Sequence, residues 1–134
     1  MFEIKSLKNI TDAIQIARSL ITDWQKEHCI GIYCNSNQDV IHIERITIGL
    51  VDSTLIHPRE IFKPAIINSA THLILLHNHP SNNVAPSRTD RVIMKSLDKA
   101  SDIMGIDIYD QIIFSKSDTY FSHKENKKIV PNTL

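Results

Sequence analysis

Glycine is scarce in this chain, with three residues in 134, and there is no repeat or low-complexity stretch. Such a composition excludes a flexible linker protein and leaves disorder as the poorer reading. Charge of one sign is also missing, since 15 Lys and Arg balance 15 Asp and Glu. That balance removes the broad electrostatic attraction by which proteins bind nucleic acid or anionic membranes without specificity, although a local basic patch is still allowed. Long apolar runs are absent too. No segment approaches the roughly 20 apolar residues of a membrane span, and MFEIKSLKNITDA lacks the apolar stretch of a signal peptide. The expectation is a cytoplasmic protein with no membrane partner and no strong nucleic-acid signal.

Cysteine is limited to Cys29 and Cys34, five residues apart in the strand-like segment HCIGIYC. An odd offset on a strand points the two side chains to opposite faces, so they neither pair nor chelate together. Buried, reduced thiols are the expectation.

What is present suffices for one domain. Apolar residues make up 42% of the chain, enough to form a core without a disulfide or a metal. Ile10, Ala13, Ile14, Ala17, Leu20, Ile21 and Trp24 recur at helical spacing, with Asn9 or Thr11 as cap, and predict a first helix over 10–24. HCIGIYC and VIHIERITIG are β-rich and separated by the turn residues NSNQD, which predicts an antiparallel hairpin. HPREIFKPAIINSA carries Pro58 for a first helical turn and Pro64 to bend or interrupt the helix. THLILLHNH is a buried strand, and after the loop PSNNVAP a long helix carries Ile93, Met94, Leu97, Ala100 and Met104 up to Gly105. IDIYDQIIF and TYFS are strands joined by a turn at SKSD, and a polar tail over 125–134 follows a domain over 1–124. The elements predict an α/β sandwich with a mixed sheet and helices packed on it.

The chemistry concentrates in LLHNHPSNNVAPSRTD, residues 75–90. His77 and His79 are two apart at the end of a strand, so both imidazoles point to one face. Asp90 returns eleven residues after His79, in the first turn of the next helix. Two nitrogens, one carboxylate and an open fourth position are the ligand set of a catalytic rather than a structural zinc. Ser87 and Asp90 also have the spacing of an N-cap and its acidic third residue, and helix capping stands as the alternative reading of that pair.

HNHPS with PSRTD resembles the JAMM signature of the JAB/MPN metalloprotease superfamily, and more narrowly the RadC family. The resemblance extends through WQKEHCIGIYCN, LIHPREIFKPAI, DIYDQIIF and YFSHKE, nearly the whole chain from about residue 20. It implies a single JAB/MPN domain of cytidine-deaminase-like fold; typical RadC chains also carry an N-terminal helix-hairpin-helix region, and with only one helix in that place the expectation here is the metallopeptidase-like domain alone. It implies one Zn2+ ion bound by His77, His79 and Asp90, with water as the fourth ligand. Glu27 would be the general base and Ser87 would stabilise the oxyanion as an amide bond of a peptide or isopeptide substrate is cleaved. Spacing alone does not rank Glu27 above Glu44 or Glu60. The chain departs from the family pattern at Asn82, where glycine is usual, and at Gln111, where a histidine is usual. Two other functions follow from the family name and superfamily: a DNA repair or recombination accessory, disfavoured by the neutral charge, and a metal-binding interaction module without catalysis.

Overall fold

A computed structural model describes residues 6–49 and 56–129. Strands β1 (Glu27–Cys34) and β2 (Val40–Gly49) form the expected antiparallel hairpin. Asn35 sets the turn between them, its side-chain oxygen accepting from the backbone N–H groups of Asn37 and Asp39 at 2.9 and 3.0 Å. Strand β3 (His72–Asn78) pairs antiparallel with β1 on its other side. Strand β4 (Asp107–Phe114) runs parallel to β3, and the short β5 (Tyr120–Ser122) closes antiparallel on β4. The result is a mixed five-stranded sheet in the order β2-β1-β3-β4-β5.

Each face of the sheet carries a core, because side chains alternate along every strand. On one face Ile30, Ile32, Ile74, Leu76, Ile112 and Phe114 meet Ala13, Ile14 and Ala17 of helix α1 (Ile10–Ser19). On the other, Cys29, Tyr33, Leu73 and Leu75 meet helices α2 (Pro58–Ile67) and α3 (Arg88–Met104) through Ile61, Phe62, Ala65, Ile93 and Leu97. The architecture is therefore the expected α/β sandwich. Cys29 and Cys34 fall on opposite faces, both fully buried. Gly31 is required between them, since a Cβ there would lie 2.8 Å from the Tyr33 ring, which folds back to donate its hydroxyl to the Ile61 carbonyl at 2.6 Å.

Three local expectations change. Helix α1 stops at Ser19 rather than reaching Trp24. Leu20 and Ile21 donate to the carbonyls of Ala17 and Arg18, and Asp23 captures the Gln25 N–H in a side-chain turn that competes with further helix. Trp24 still packs on the same core, edge-on to Phe114 with ring centroids 5.9 Å apart. Pro64 does not interrupt α2, which runs on to Ile67, and the Pro64 carbonyl accepts from the N–H and the side-chain amide of Asn68. Residues 125–129 of the segment read as a polar tail belong to helix α4 (His123–Ile129), started by Ser122 Oγ accepting from Glu125 N–H at 3.1 Å and by Asp110 accepting from Lys124 N–H at 3.0 Å, while 130–134 lie outside the described residues. No helix among the described residues is long and apolar enough to cross a membrane.

Candidate metal centre

The centre is assembled where β3 ends and α3 begins. His77 is the penultimate residue of β3, on the same face as Leu73 and Leu75, and His79 follows the strand with the same phase. The His79 N–H continues the parallel ladder by donating to the Phe114 carbonyl at 3.0 Å, which fixes its backbone. A turn through Asn82 then leads towards α3; Asn82 has φ 66, the left-handed conformation for which glycine is the usual choice. Asparagine takes that position here at the modest cost its short polar side chain allows.

Three donor groups converge from these elements. His77 Nε2 lies 3.3 Å from His79 Nε2 and 3.3 Å from Asp90 Oδ1, and His79 Nε2 lies 3.1 Å from Asp90 Oδ2. In a tetrahedral zinc site with bonds of about 2.0–2.2 Å, ligand atoms stand about 3.3–3.6 Å apart. The three groups therefore fit a zinc ion with only slight expansion. All three side chains are nearly covered by protein, at 10%, 14% and 7% exposure for His77, His79 and Asp90.

The surroundings prepare the donors. His79 Nδ1 donates to the Asn83 carbonyl at 2.7 Å, so Nε2 is the nitrogen that faces His77 and Asp90: protonated it donates to the carboxylate, and deprotonated it would offer its lone pair to a metal. Asp90 sits at the third position of α3 in a capping box, with Ser87 Oγ accepting its N–H at 3.0 Å and its Oδ2 accepting the Ser87 N–H at 2.9 Å. Burial opposes ionisation of Asp90, but the hydrogen bonds from His77 and His79, the charge of His77 and the Ser87 N–H outweigh it. They hold the carboxyl well below the usual carboxylate range. Reciprocally, the hydrogen bond to Asp90 raises the His79 pKa against the opposing effect of burial.

Glu27 opens β1, half-buried, on the sheet face that Cys29 shares with the two histidines. Cys29 stands directly across from His77 in the β1–β3 register, so two residues further out Glu27 comes alongside His79, whose pKa its charge helps to raise. Glu44 is engaged elsewhere, 2.7 Å from His42 on β2 across from Gly31, and Glu60 lies in the first turn of α2 beside Arg59 at 3.5 Å. Ser87 is exposed, and its oxygen is used as an acceptor by the helix, which leaves the hydroxyl proton for another partner. Gln111, at the position where a histidine is usual, is buried behind the centre and donates to the Met94 carbonyl and to Asp98. Asn78, which carried no expectation, is fully buried between the two histidines and bonded through its side chain to main-chain groups on both sides of Glu27. Nothing in the local sequence marks that role, because both partners belong to β1 and the turn before it.

Known proteins resemble this chain over nearly all of its length. It is 36% identical over 125 residues to a UPF0758 protein of Chlorobium phaeovibrioides, covering 93% of this chain and 56% of that protein. With a UPF0758 protein of Rubrobacter xylanophilus the identity is 40% over 115 residues, covering 86% of this chain and 50% of the relative. A UPF0758 protein of Chlorobaculum tepidum shares 38% over 120 residues, 90% of this chain and 54% of its own. The chain thus spans about half the length of these curated relatives. A family model described as the RadC-like JAB domain matches residues 7–128, which takes in every element of the sheet and the whole donor cluster. The chain belongs to the RadC-like JAB domain family.

Proposed function

We propose that this domain is a zinc-dependent hydrolase that cleaves an amide bond in a peptide or isopeptide, with one zinc ion held by His77, His79 and Asp90. The observation that carries the reading is the convergence of two imidazole nitrogens and a carboxylate within 3.1–3.3 Å, beside a half-buried glutamate on the same sheet face. Three protein ligands leave one position open, as catalytic zinc sites do. Zinc bound there supplies a Lewis acid for a carbonyl and lowers the pKa of water from about 15.7 towards about 7.

The chain's own residues supply the rest. Glu27 takes a proton from the attacking water and returns it to the leaving amine. Ser87 donates its hydroxyl proton to the carbonyl oxygen as negative charge develops there. Asn83 holds the His79 ring in the tautomer that can ligate, and the capping box keeps the Asp90 carboxylate aimed at both histidines.

The test is a mass-spectrometric screen of the zinc-loaded chain against peptide and isopeptide libraries, with chelated protein and Glu27→Gln as controls. The wild type should cleave, the chelated form should not, and Glu27→Gln should lose cleavage while keeping its zinc. Loss of zinc in that variant would recast Glu27 as a ligand or structural residue. A zinc-loaded wild type that cleaves nothing across the libraries would favour a metal-binding interaction module.

A further inference from the structure

The paired register of β1 with β3 ends at Cys29↔His77. Beyond that point the side chain of Asn78 takes over the connection. Its Oδ1 accepts the His28 N–H at 2.7 Å, and its Nδ2 donates to the Lys26 carbonyl at 2.9 Å. Residues 26 and 28 flank Glu27, so a single primary amide fixes the backbone immediately before and after that residue. The contact is fully buried on the Asn78 side.

We infer that Asn78 is the positioning residue that holds Glu27 at the metal centre; the inference rests on the role proposed for Glu27 above. Gln25 and Lys26, just before the segment that Asn78 restrains, are exposed. On one edge the segment pairs with β2, Glu27 opposite Gly49 and His28 opposite Ile48, and His28 Nε2 donates to the Asp23 carbonyl at 2.9 Å. On the β3 edge the paired register has already ended, and there the Asn78 amide holds it. A strand end of this kind frays unless tied down. The chemistry of the tie is specific, because it needs an acceptor and a donor on one short planar group. Aspartate keeps the acceptor and loses the donor, serine is too short to span both partners, and an apolar residue leaves the buried His28 N–H unpaired.

The position in the chain gives the clamp its consequence. The backbone of Asn78 joins His77 to His79, while its side chain carries the segment that bears Glu27. Ligands and base are thereby referred to one residue, and a displacement of about 1 Å in such a constellation can cost on the order of 100-fold in rate. Closing the sheet is the plainer role for this asparagine, and it predicts a loss of stability without a selective shift of Glu27.

Asn78→Asp and Asn78→Ser separate the two. Crystal structures of the zinc-loaded variants should show the Glu27 carboxylate displaced by about 1 Å or more with His77, His79 and Asp90 in place. Zinc affinity should stay well inside the ~10- to 100-fold loss that follows removal of a hydrogen-bond partner from a ligating histidine. On a cleaved substrate kcat should fall about 10- to 100-fold with KM unchanged. Glu27 unmoved in both variants, or zinc lost from both, overturns the inference. A zinc-loaded wild type that cleaves nothing would sink the hydrolase reading alone, since the displacement of Glu27 still decides the role of Asn78. Should neither variant fold, amide exchange of the wild type gives the answer: protection of the His28 N–H supports the clamp, and exchange at the rate of an exposed amide removes it.

Discussion

Ser87 and Asp90 bind each other twice: Ser87 Oγ accepts the Asp90 N–H at 3.0 Å, and Asp90 Oδ2 accepts the Ser87 N–H at 2.9 Å. The same carboxylate reaches His77 through Oδ1 at 3.3 Å and His79 through Oδ2 at 3.1 Å. The carboxylate that caps α3 is therefore also the third donor group of the candidate centre. Capping and ligation, alternatives when only the sequence is considered, are compatible because a carboxylate has more lone pairs than the helix uses.

That sharing makes Ser87 testable in two directions. Ser87→Ala should lower stability by about 0.5–2 kcal/mol, the usual cost of a lost cap. It should also reduce turnover by roughly 100- to 1000-fold if the hydroxyl serves the developing oxyanion. Ser87→Asp preserves a capping oxygen but donates nothing and adds negative charge, so it should melt near the wild type and be inactive. A stable and fully active Ser87→Asp, measured by thermal melting and by peptidase rate, would leave Ser87 as a cap alone.

The long elements were legible because a single local pattern dictates each. THLILLHNH has no register but a buried strand, and the stripe from Ile93 to Met104 ends where Gly105 takes φ 66. The donor cluster was legible for the same reason: period two aligns His77 with His79, and the helix start fixes Asp90. The end of α1 was hidden, since Leu20, Ile21 and Trp24 stay in helical phase and on the same core while Asp23 turns the backbone. Helix α4 has no apolar stripe to announce it, and one of its supports, Asp110, comes from β4. Asn78 was invisible as well, its partner in His28 being 50 residues away.

In the proposed zinc site, metal and protons would compete for the same atoms, and the sign of the competition follows from the pKa shifts. Asp90 is depressed, so without metal its contribution to stability is present above the unfolded pKa of about 3.9 and is lost as pH falls through the folded value. His79 is raised, so its contribution is full below about 6.5 and disappears as pH rises through its folded pKa. Ligation needs the deprotonated imidazoles, so zinc gains as the histidine contribution fades. The rise in melting temperature on adding zinc should grow from pH 6 to pH 8. A rise that shrinks or stays flat across that interval would place the metal on other groups.

Both thiols should be inert in the folded protein. Burial, with a smaller effect of the Glu27 charge, pushes Cys29 up to about 12, and burial with the Asp39 charge pushes Cys34 up to about 11. The thiolate is the reactive and metal-binding form, so Cys29 stays out of the ligand set although it stands across from His77. Iodoacetamide at pH 8 should label neither cysteine in the native chain and both in denaturant. Rapid native labelling of Cys29 would show that the face carrying the centre is open.

The central claim is that one metal joins His77, His79 and Asp90. Its most direct test is diffraction from a zinc-loaded crystal on both sides of the zinc absorption edge. The account requires one anomalous peak per chain, at about 2.0–2.2 Å from His77 Nε2, His79 Nε2 and the Asp90 carboxylate. A peak bound by other residues, or no peak with zinc supplied in excess, would contradict it.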